Sequence, residues 1–581
     1  MLIPEKTRRY IWASLLLALP LFAYPLAWAL PRSKSLPLWD MVQCCTPAVI
    51  AIAALGAAVA EPRRIIKAWQ SSKVLRFFLI TSLLCSAAAG VQQILYGGLW
   101  ENFFHALFFV TLPWAGIALA PELKRLLPWW CSGLFLFLLW MTAQTPMCTG
   151  FVGNWNWNFS LLAVTLVAIV VLTFRSRWRL IAAGVAVSAG VASVFFFFPE
   201  LAPRGTLAGI IGAAVALGIV MLFKRQDRWR YATLAALAGG VLFISAVNSQ
   251  ESATLANARV QLWRGSLQFS LAHTAVGVGP ARFESRIPPF LVPEYFLSDF
   301  PAVRHPHPHN EILNMWAGFG IPGLLYILMW AVATARQIRR KDPIGLWISW
   351  AFLLLFIHGL FDVLLSTPLA GTLFFLMMGT ICGSGLSGSS DCKIPLCKRY
   401  IAAGILLFLA AFLLVQNLRS GTALRQGRLL LSENRKKEAY GQFIKSLRIM
   451  PNAPACYFAG QTAFFDLRRP AEAIFWWKKI QSELRYPSFL HLNRLLGHAY
   501  DLNGQSALAL YHYEKEAKDF PFSALNAGLR LGCLQKNNAS PEQITAAAAV
   551  FNKLMVMRKL KAAEFPKLLR NPALDDEPLV K

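Results

Sequence analysis

Arg304-His305-Pro306-His307-Pro308-His309-Asn310-Glu311-Ile312-Leu313-Asn314 is where this chain changes character. It closes a polar segment, residues 248–311, and runs straight into an apolar helix. Three imidazoles at alternate positions, held between prolines, are a poor way to build a core. They are a good way to hold a proton acceptor at the mouth of a membrane cavity. Outward from this edge, apolar runs of membrane-crossing length alternate with short polar loops.

Composition agrees. Of 581 residues, 56% are hydrophobic and 15% charged, with mean hydropathy +0.47. That balance points to a polytopic membrane protein. The apolar character is confined to residues 1–417, where runs of about twenty match a hydrocarbon core roughly 30 Å thick. Residues 418–581 return to an ordinary charged, helix-forming composition. The expectation is an all-α chain: a GT-C-like bundle of about 13 transmembrane helices, then a soluble helical tail.

The net charge of +28 does not indicate nucleic-acid binding. Its arginines and lysines gather in short interhelical loops, as in Arg63-Arg64-Ile65-Ile66-Lys67, Arg175-Ser176-Arg177-Trp178-Arg179 and Arg336-Gln337-Ile338-Arg339-Arg340-Lys341. Basic loops on alternate connections are a positive-inside signal. Spans are expected near 10–30, 41–60, 74–95, 99–120, 126–145, 158–174, 180–198, 206–223, 231–247, 312–335, 344–365, 368–386 and 400–417. The first apolar run is too long for a cleavable signal and reads as a retained helix. With a cytoplasmic N-terminus, Arg204, segment 248–311 and the tail from 418 fall outside. In a Gram-negative inner membrane that side is the periplasm. Cys44, Cys45, Cys85, Cys131 and Cys382 sit in apolar runs as small hydrophobes. Cys392 and Cys397 lack the partners of a zinc site.

In the tail, Ala439, Ala473 and Ala507 stand 34 apart, the period of the tetratricopeptide repeat. Gly497, Tyr500, Gly504, Ala509 and Pro521 fit its pattern of small, aromatic and proline positions. A solenoid of such helix pairs offers a concave face for a protein partner. A helical cap with no partner is the plainer reading.

Segment 248–311 and its surroundings hold an ordered set: Asn257-Ala258-Arg259-Val260-Gln261-Leu262-Trp263, then Gly277-Val278-Gly279-Pro280-Ala281-Arg282-Phe283, then His307-Pro308-His309-Asn310-Glu311, then Gly318-Phe319-Gly320-Ile321-Pro322-Gly323. Here the sequence resembles the O-antigen ligase superfamily, which includes lipopolysaccharide O-antigen ligases, O-antigen polymerases and O-linking protein oligosaccharyltransferases. That family's pattern is Arg-x3-Trp, Gly-x-Gly before an aromatic, and His-Asn before a helix containing Gly-x-x-Gly. The resemblance spans roughly residues 200–385 and implies glycosyl transfer without metal or cofactor. The implied donor is a glycan on undecaprenyl diphosphate. It also implies that His309 is the catalytic histidine and that Arg204 and Arg259 bind the diphosphate.

The residue types suit that chemistry. Guanidinium binds phosphate through charge-assisted, often bidentate hydrogen bonds. It would also stabilise charge growing on a leaving diphosphate. Imidazole, with an unperturbed pKa near 6.5, suits a general base near neutrality. Alternatives stand beside each role. Arg204 could anchor lipid headgroups, Arg259 could pair with Glu251 or Glu284, and Arg264 or Arg282 could be the phosphate ligand. His305, His307 and His309 could hold a metal, and His307 and Asn310 could support His309. His358 and Asp362, in His358-Gly359-Leu360-Phe361-Asp362, are intramembrane ionisable residues. They resemble the His-x3-Glu of O-linking oligosaccharyltransferases, without the tyrosine that tends to follow. They serve either substrate or each other as a buried pair.

The acceptor hydroxyl could be on lipid A-core sugar, on protein or on another glycan. Two other classes compete. A transporter or flippase should show interrupted helices and internal symmetry, neither of which is evident. A non-catalytic scaffold would survive loss of His309.

Overall fold

The computed structural model describes residues 4–23, 39–96, 100–144, 155–173, 210, 213, 258–292, 295, 307–337, 342–362, 365, 367–384, 386, 394–484, 491–557 and 565. The expected spans 180–198 and 231–247 lie outside the described residues, as do Arg204 and all of 206–223 except Ile210 and Ala213.

Every regular element among the described residues is a helix. In chain order these are α1 (Glu5–Ala23), α2 (Trp39–Ala60), α3 (Arg63–Ser71), α4 (Lys73–Tyr96), α5 (Trp100–Ala118), α6 (Ala120–Gln144) and α7 (Trp155–Thr173). After α8 (Ala258–Ala272) come two short 3-10 turns, Pro280–Arg282 and Pro288–Phe290. Next are α9 (Glu311–Phe319), α10 (Ile321–Gln337), α11 (Pro343–Gly359), α12 (Pro368–Ser384) and α13 (Leu396–Ser432). The tail holds α14 (Lys436–Ile449), α15 (Ala453–Gln461), α16 (Pro470–Ser482), α17 (Leu492–Leu502), α18 (Ser506–Asp519), α19 (Ala524–Lys536) and α20 (Pro541–Met557).

Among the described residues, α4 and α13 are long and apolar enough to cross a membrane. Ala106–Ala118 and Ala120–Trp140 make a third span if that pair, bent by 103°, is counted as one. Other apolar helices are shorter, including Pro47–Ala60, Ile344–Gly359 and Pro368–Ser384. The expected single span 312–335 is instead two helices, broken at Gly320, where φ is +66°. A glycine tolerates that backbone and ends α9.

The chain divides into two units. The first contains residues 1–91, 100–241 and 309–415; the second contains 92–99, 242–308 and 416–581.

In the first unit α12 is buried from Pro368 to Gly383, as expected of a helix apolar on every side. Among apolar helices, association relies on close packing and interhelical hydrogen bonds, and both are present. Thr111 donates to the Ala51 carbonyl at 3.0 Å, Tyr326 to the Phe109 carbonyl at 2.9 Å, and the Trp347 indole to the Val164 carbonyl at 3.2 Å. Phe374 and Phe375 meet Trp330 edge-on at 5.3 and 5.4 Å. Cys85, Cys131 and Cys382 are fully buried in this core, as small hydrophobes. Arg9 pairs with buried Glu61 at 3.1 Å, and Tyr400 donates to the same carboxylate at 2.5 Å. That ties α1 and α13 to the end of α2.

In the second unit each tail helix from α14 to α20 packs on the next. Trp477 and Tyr513 are fully buried in the tail. The Trp476 indole donates to the Tyr440 hydroxyl at 2.9 Å, which donates to Glu472 at 3.1 Å. Ala439, Ala473 and Ala509 are the fourth residues of α14, α16 and α18, and all are fully buried. Ala507, which the 34-residue spacing places in that role, is exposed. Helix register, not the count alone, decides which alanine meets the core. The buried alanine of α18 therefore lies two residues beyond the strict period.

Candidate active site

The site in the first unit is built where α9 begins and α11 ends. Pro308 and the extended Asn310 (φ −159°, ψ 121°) hold the chain out of helix until residue 311. Asn310 is the N-cap: its Oδ1 accepts from the Leu313 N–H at 3.0 Å, which satisfies one of the orphan donors of a helix start. Its Nδ2 donates to the Leu360 carbonyl at 2.7 Å. Glu311 is fully buried. Its Oε1 accepts from the Leu365 N–H at 2.8 Å and its Oε2 from Asn314 Nδ2 at 3.0 Å. His309 Nδ1 lies 2.9 Å from Asp362 Oδ1. Three consecutive side chains therefore fasten the start of α9 to the segment after α11.

That segment is shaped to receive them. Beyond Gly359 the chain turns tightly, with the Phe361 and Asp362 N–H groups both donating to the His358 carbonyl, at 2.9 and 3.1 Å. Gly359 is required by space, since a Cβ there would stand 2.8 Å from Glu311 Cγ.

His309 has φ +51°. A non-glycine residue held there costs on the order of 1–3 kcal/mol and persists only where its surroundings over-determine it. The bonds of Asn310, Glu311 and Asp362 supply that determination. The His309 side chain is 32% exposed and that of Asp362 only 4%, so the imidazole is reachable while its carboxylate is not. An ionised carboxylate only accepts hydrogen bonds, so the contact favours the tautomer with the proton on His309 Nδ1 and directs Nε2 away from Asp362.

The sequence left His358 and Asp362 either to serve substrate or to pair with each other, and the structure gives each another neighbour. Asp362 turns to His309, and His358 Nδ1 lies 2.6 Å from Ser160 Oγ on α7. A four-residue spacing places two side chains near one another on an unbroken helix, but α11 ends at Gly359.

Arg259, Arg264, Arg282 and His307 are in the second unit. Arg259 is exposed on α8, and Arg264 on the same helix donates to Gln261 at 3.2 Å. Arg282 is buried, donating to Gln93 Oε1 at 2.7 Å and to the Val278 carbonyl at 3.4 Å. Its guanidinium therefore fastens the Gly277–Arg282 turn, which argues against a phosphate-binding role. His307 is half-buried. His305 and Arg204 lie outside the described residues. Among the described residues no three His, Cys, Asp or Glu side chains group as a metal site.

Sequence reading missed Glu311 as a strut, Ser160 as the partner of His358, and Gly359 and Gln93. Glu311 stood in the quoted motif with no visible partner. Ser160 lies 198 positions from His358 and carries no local signal.

A partly exposed histidine is thus backed by a buried carboxylate at the end of apolar helices, an arrangement suited to acid–base chemistry. Residues 202–328 match the family model for O-antigen ligase. The match takes in Arg204, α8 and His309, and supports the O-antigen ligase superfamily, whose members are glycosyltransferase-like enzymes. No curated protein matches the chain.

Proposed function

We propose that this protein transfers a glycan from undecaprenyl diphosphate to an acceptor hydroxyl at the outer face of the inner membrane. The observation that carries the reading is the 2.9 Å contact between His309 Nδ1 and Asp362, in which the histidine belongs to the O-antigen ligase stretch.

With Nδ1–H held by Asp362, Nε2 takes the proton of the acceptor hydroxyl as its oxygen attacks the anomeric carbon. The bond from that carbon to the diphosphate oxygen breaks, and the diphosphate leaves with the electron pair. Asp362 stabilises the imidazolium that forms, as carboxylates do in histidine-based sites. Arg259, with Arg204, would bind the diphosphate and meet the charge that grows on it. Such a contact is typically worth about 3 kcal/mol in the transition state. His307, Arg264 and His358 border these groups in sequence, and Asn310 sets the angle at which His309 is presented. The tail, with buried alanines at matching helix positions, is read as a short tetratricopeptide-like solenoid.

The test is complementation of a deletion strain with wild type or His309→Ala, followed by glycan-stained gels of lipopolysaccharide and periplasmic glycoproteins. Wild type should restore a glycan product, and the mutant at equal abundance should not. The lane that changes names the acceptor as lipid A-core, protein or glycan. Equal restoration by both proteins would sink the assignment.

A further inference from the structure

The tail is tied to the segment that bears the arginines. Residues 242–308 cluster with 416–581 in one unit. The turn Pro288–Phe290 lies against α18 of the tail and also against α8. The Phe290 ring meets Phe269 at 5.2 Å and His273 at 5.8 Å, the first on α8 and the second just after it. At Gly265 the approach is so close that a Cβ would stand 2.7 Å from the Phe290 carbonyl oxygen.

Phe283 meets Phe269 edge-on at 5.4 Å. On this side the segment is held by the last residues of α4. Gln93 accepts from Arg282, Gln92 donates to the Val276 carbonyl, and Arg286 lies over the Tyr96 ring at 4.4 Å. The α18 helix is fixed in turn by its own domain through fully buried Ala509, Tyr513 and Glu516.

We propose that the tail is a positioning part of the transfer machinery: through α18 and the Phe290 joint it holds α8, and with it Arg259, in place for the donor. A domain that only recruited a partner would need a tether, and α13 already supplies one. The approach of the Pro288–Phe290 turn to α18 is an additional feature that a tether does not require. Close-packed contacts of this kind transmit displacement instead of absorbing it. Misplacing a binding group by about an ångström costs rate or affinity steeply. The proposal rests on the reading of Arg259 as a donor ligand.

Full-length wild type, Phe290→Ala and Tyr513→Ala proteins in nanodiscs would be compared in two ways. One is amide hydrogen exchange over 258–272 and 506–519. The other is transfer rate against the concentration of a short undecaprenyl-diphosphate-linked disaccharide. Tyr513→Ala loosens α18 from inside the tail and should raise exchange in both segments, as should Phe290→Ala. Both should raise the donor KM about tenfold while kcat stays within about twofold. The proposal is overturned if Tyr513→Ala opens 506–519 yet leaves both exchange in 258–272 and the donor KM unchanged. Coupled exchange with no transfer by wild type would uphold the mechanical link and remove the transferase reading, so the two failures are distinguishable.

Discussion

The presentation of His309 is set by the side chains that follow it. Its neighbours Asn310 and Glu311 are spent on backbone partners at residues 360 and 365, which leaves the imidazole as the reachable side chain of these three. Asp362→Asn preserves shape but removes the charge that stabilises imidazolium and the preference for the reactive tautomer. Transfer should fall by about 100- to 10,000-fold with protein abundance unchanged, read as initial rate at saturating donor. Gly359→Ala would push a methyl onto Glu311 Cγ, 2.8 Å away. Overpacking of that kind costs about 1–3 kcal/mol. It should lower the melting temperature and also lower transfer, because the carboxylate it displaces fixes the start of α9. A Gly359→Ala protein with unchanged melting temperature and rate would refute the strut role of Glu311.

At the scale of elements, helix starts and breaks do much of the positioning. The sequence indicated a helix following His309, and a good N-cap at Asn310 agrees. It did not indicate that α9 ends after nine residues or that α11 stops before Asp362. Apolar runs look alike whether one helix or two pass through them. In the tail, helix α18 carries a pH response. Burial, together with the Lys515 and Lys478 cations, lowers the His512 pKa to about 4; burial likewise lowers that of His498. The unfolded tail binds these protons near pH 6.5 and the folded tail does not. The stability they contribute is therefore complete above that pH and is lost as pH falls toward 4. For His512 the loss at pH 5 is about 2 kcal/mol. Protease nicking of the tail should accelerate between pH 7.5 and 5, and His512→Gln should flatten that dependence.

For the whole molecule, the alternation of basic loops predicts a tail on the outer side of the membrane. A reporter that is active only outside the cytoplasm, fused after Lys581, should be active. A cytoplasmic reporter at the same point should be silent. The opposite result would place the polar segment on the side where undecaprenyl-linked glycans are assembled, and would overturn the proposed direction of the reaction. The tail was legible as helical, because its composition is that of ordinary charged helices. The position of Ala507 was misjudged because a repeat period counts residues, whereas burial follows helix register.

Sequence alone determined the all-helical class and the polar segment between apolar runs, and it singled out His309 by motif order. Each of these is written in local composition or in motif order, which survives without knowledge of distant contacts. Tertiary structure decided that Asp362 lies against His309, that Arg282 is buried as a latch, and that Pro288–Phe290 meets the tail. These pairings join residues tens to hundreds of positions apart. Which buried polar group finds which partner is set by how helices end and pack, a property of the folded chain that no local pattern records.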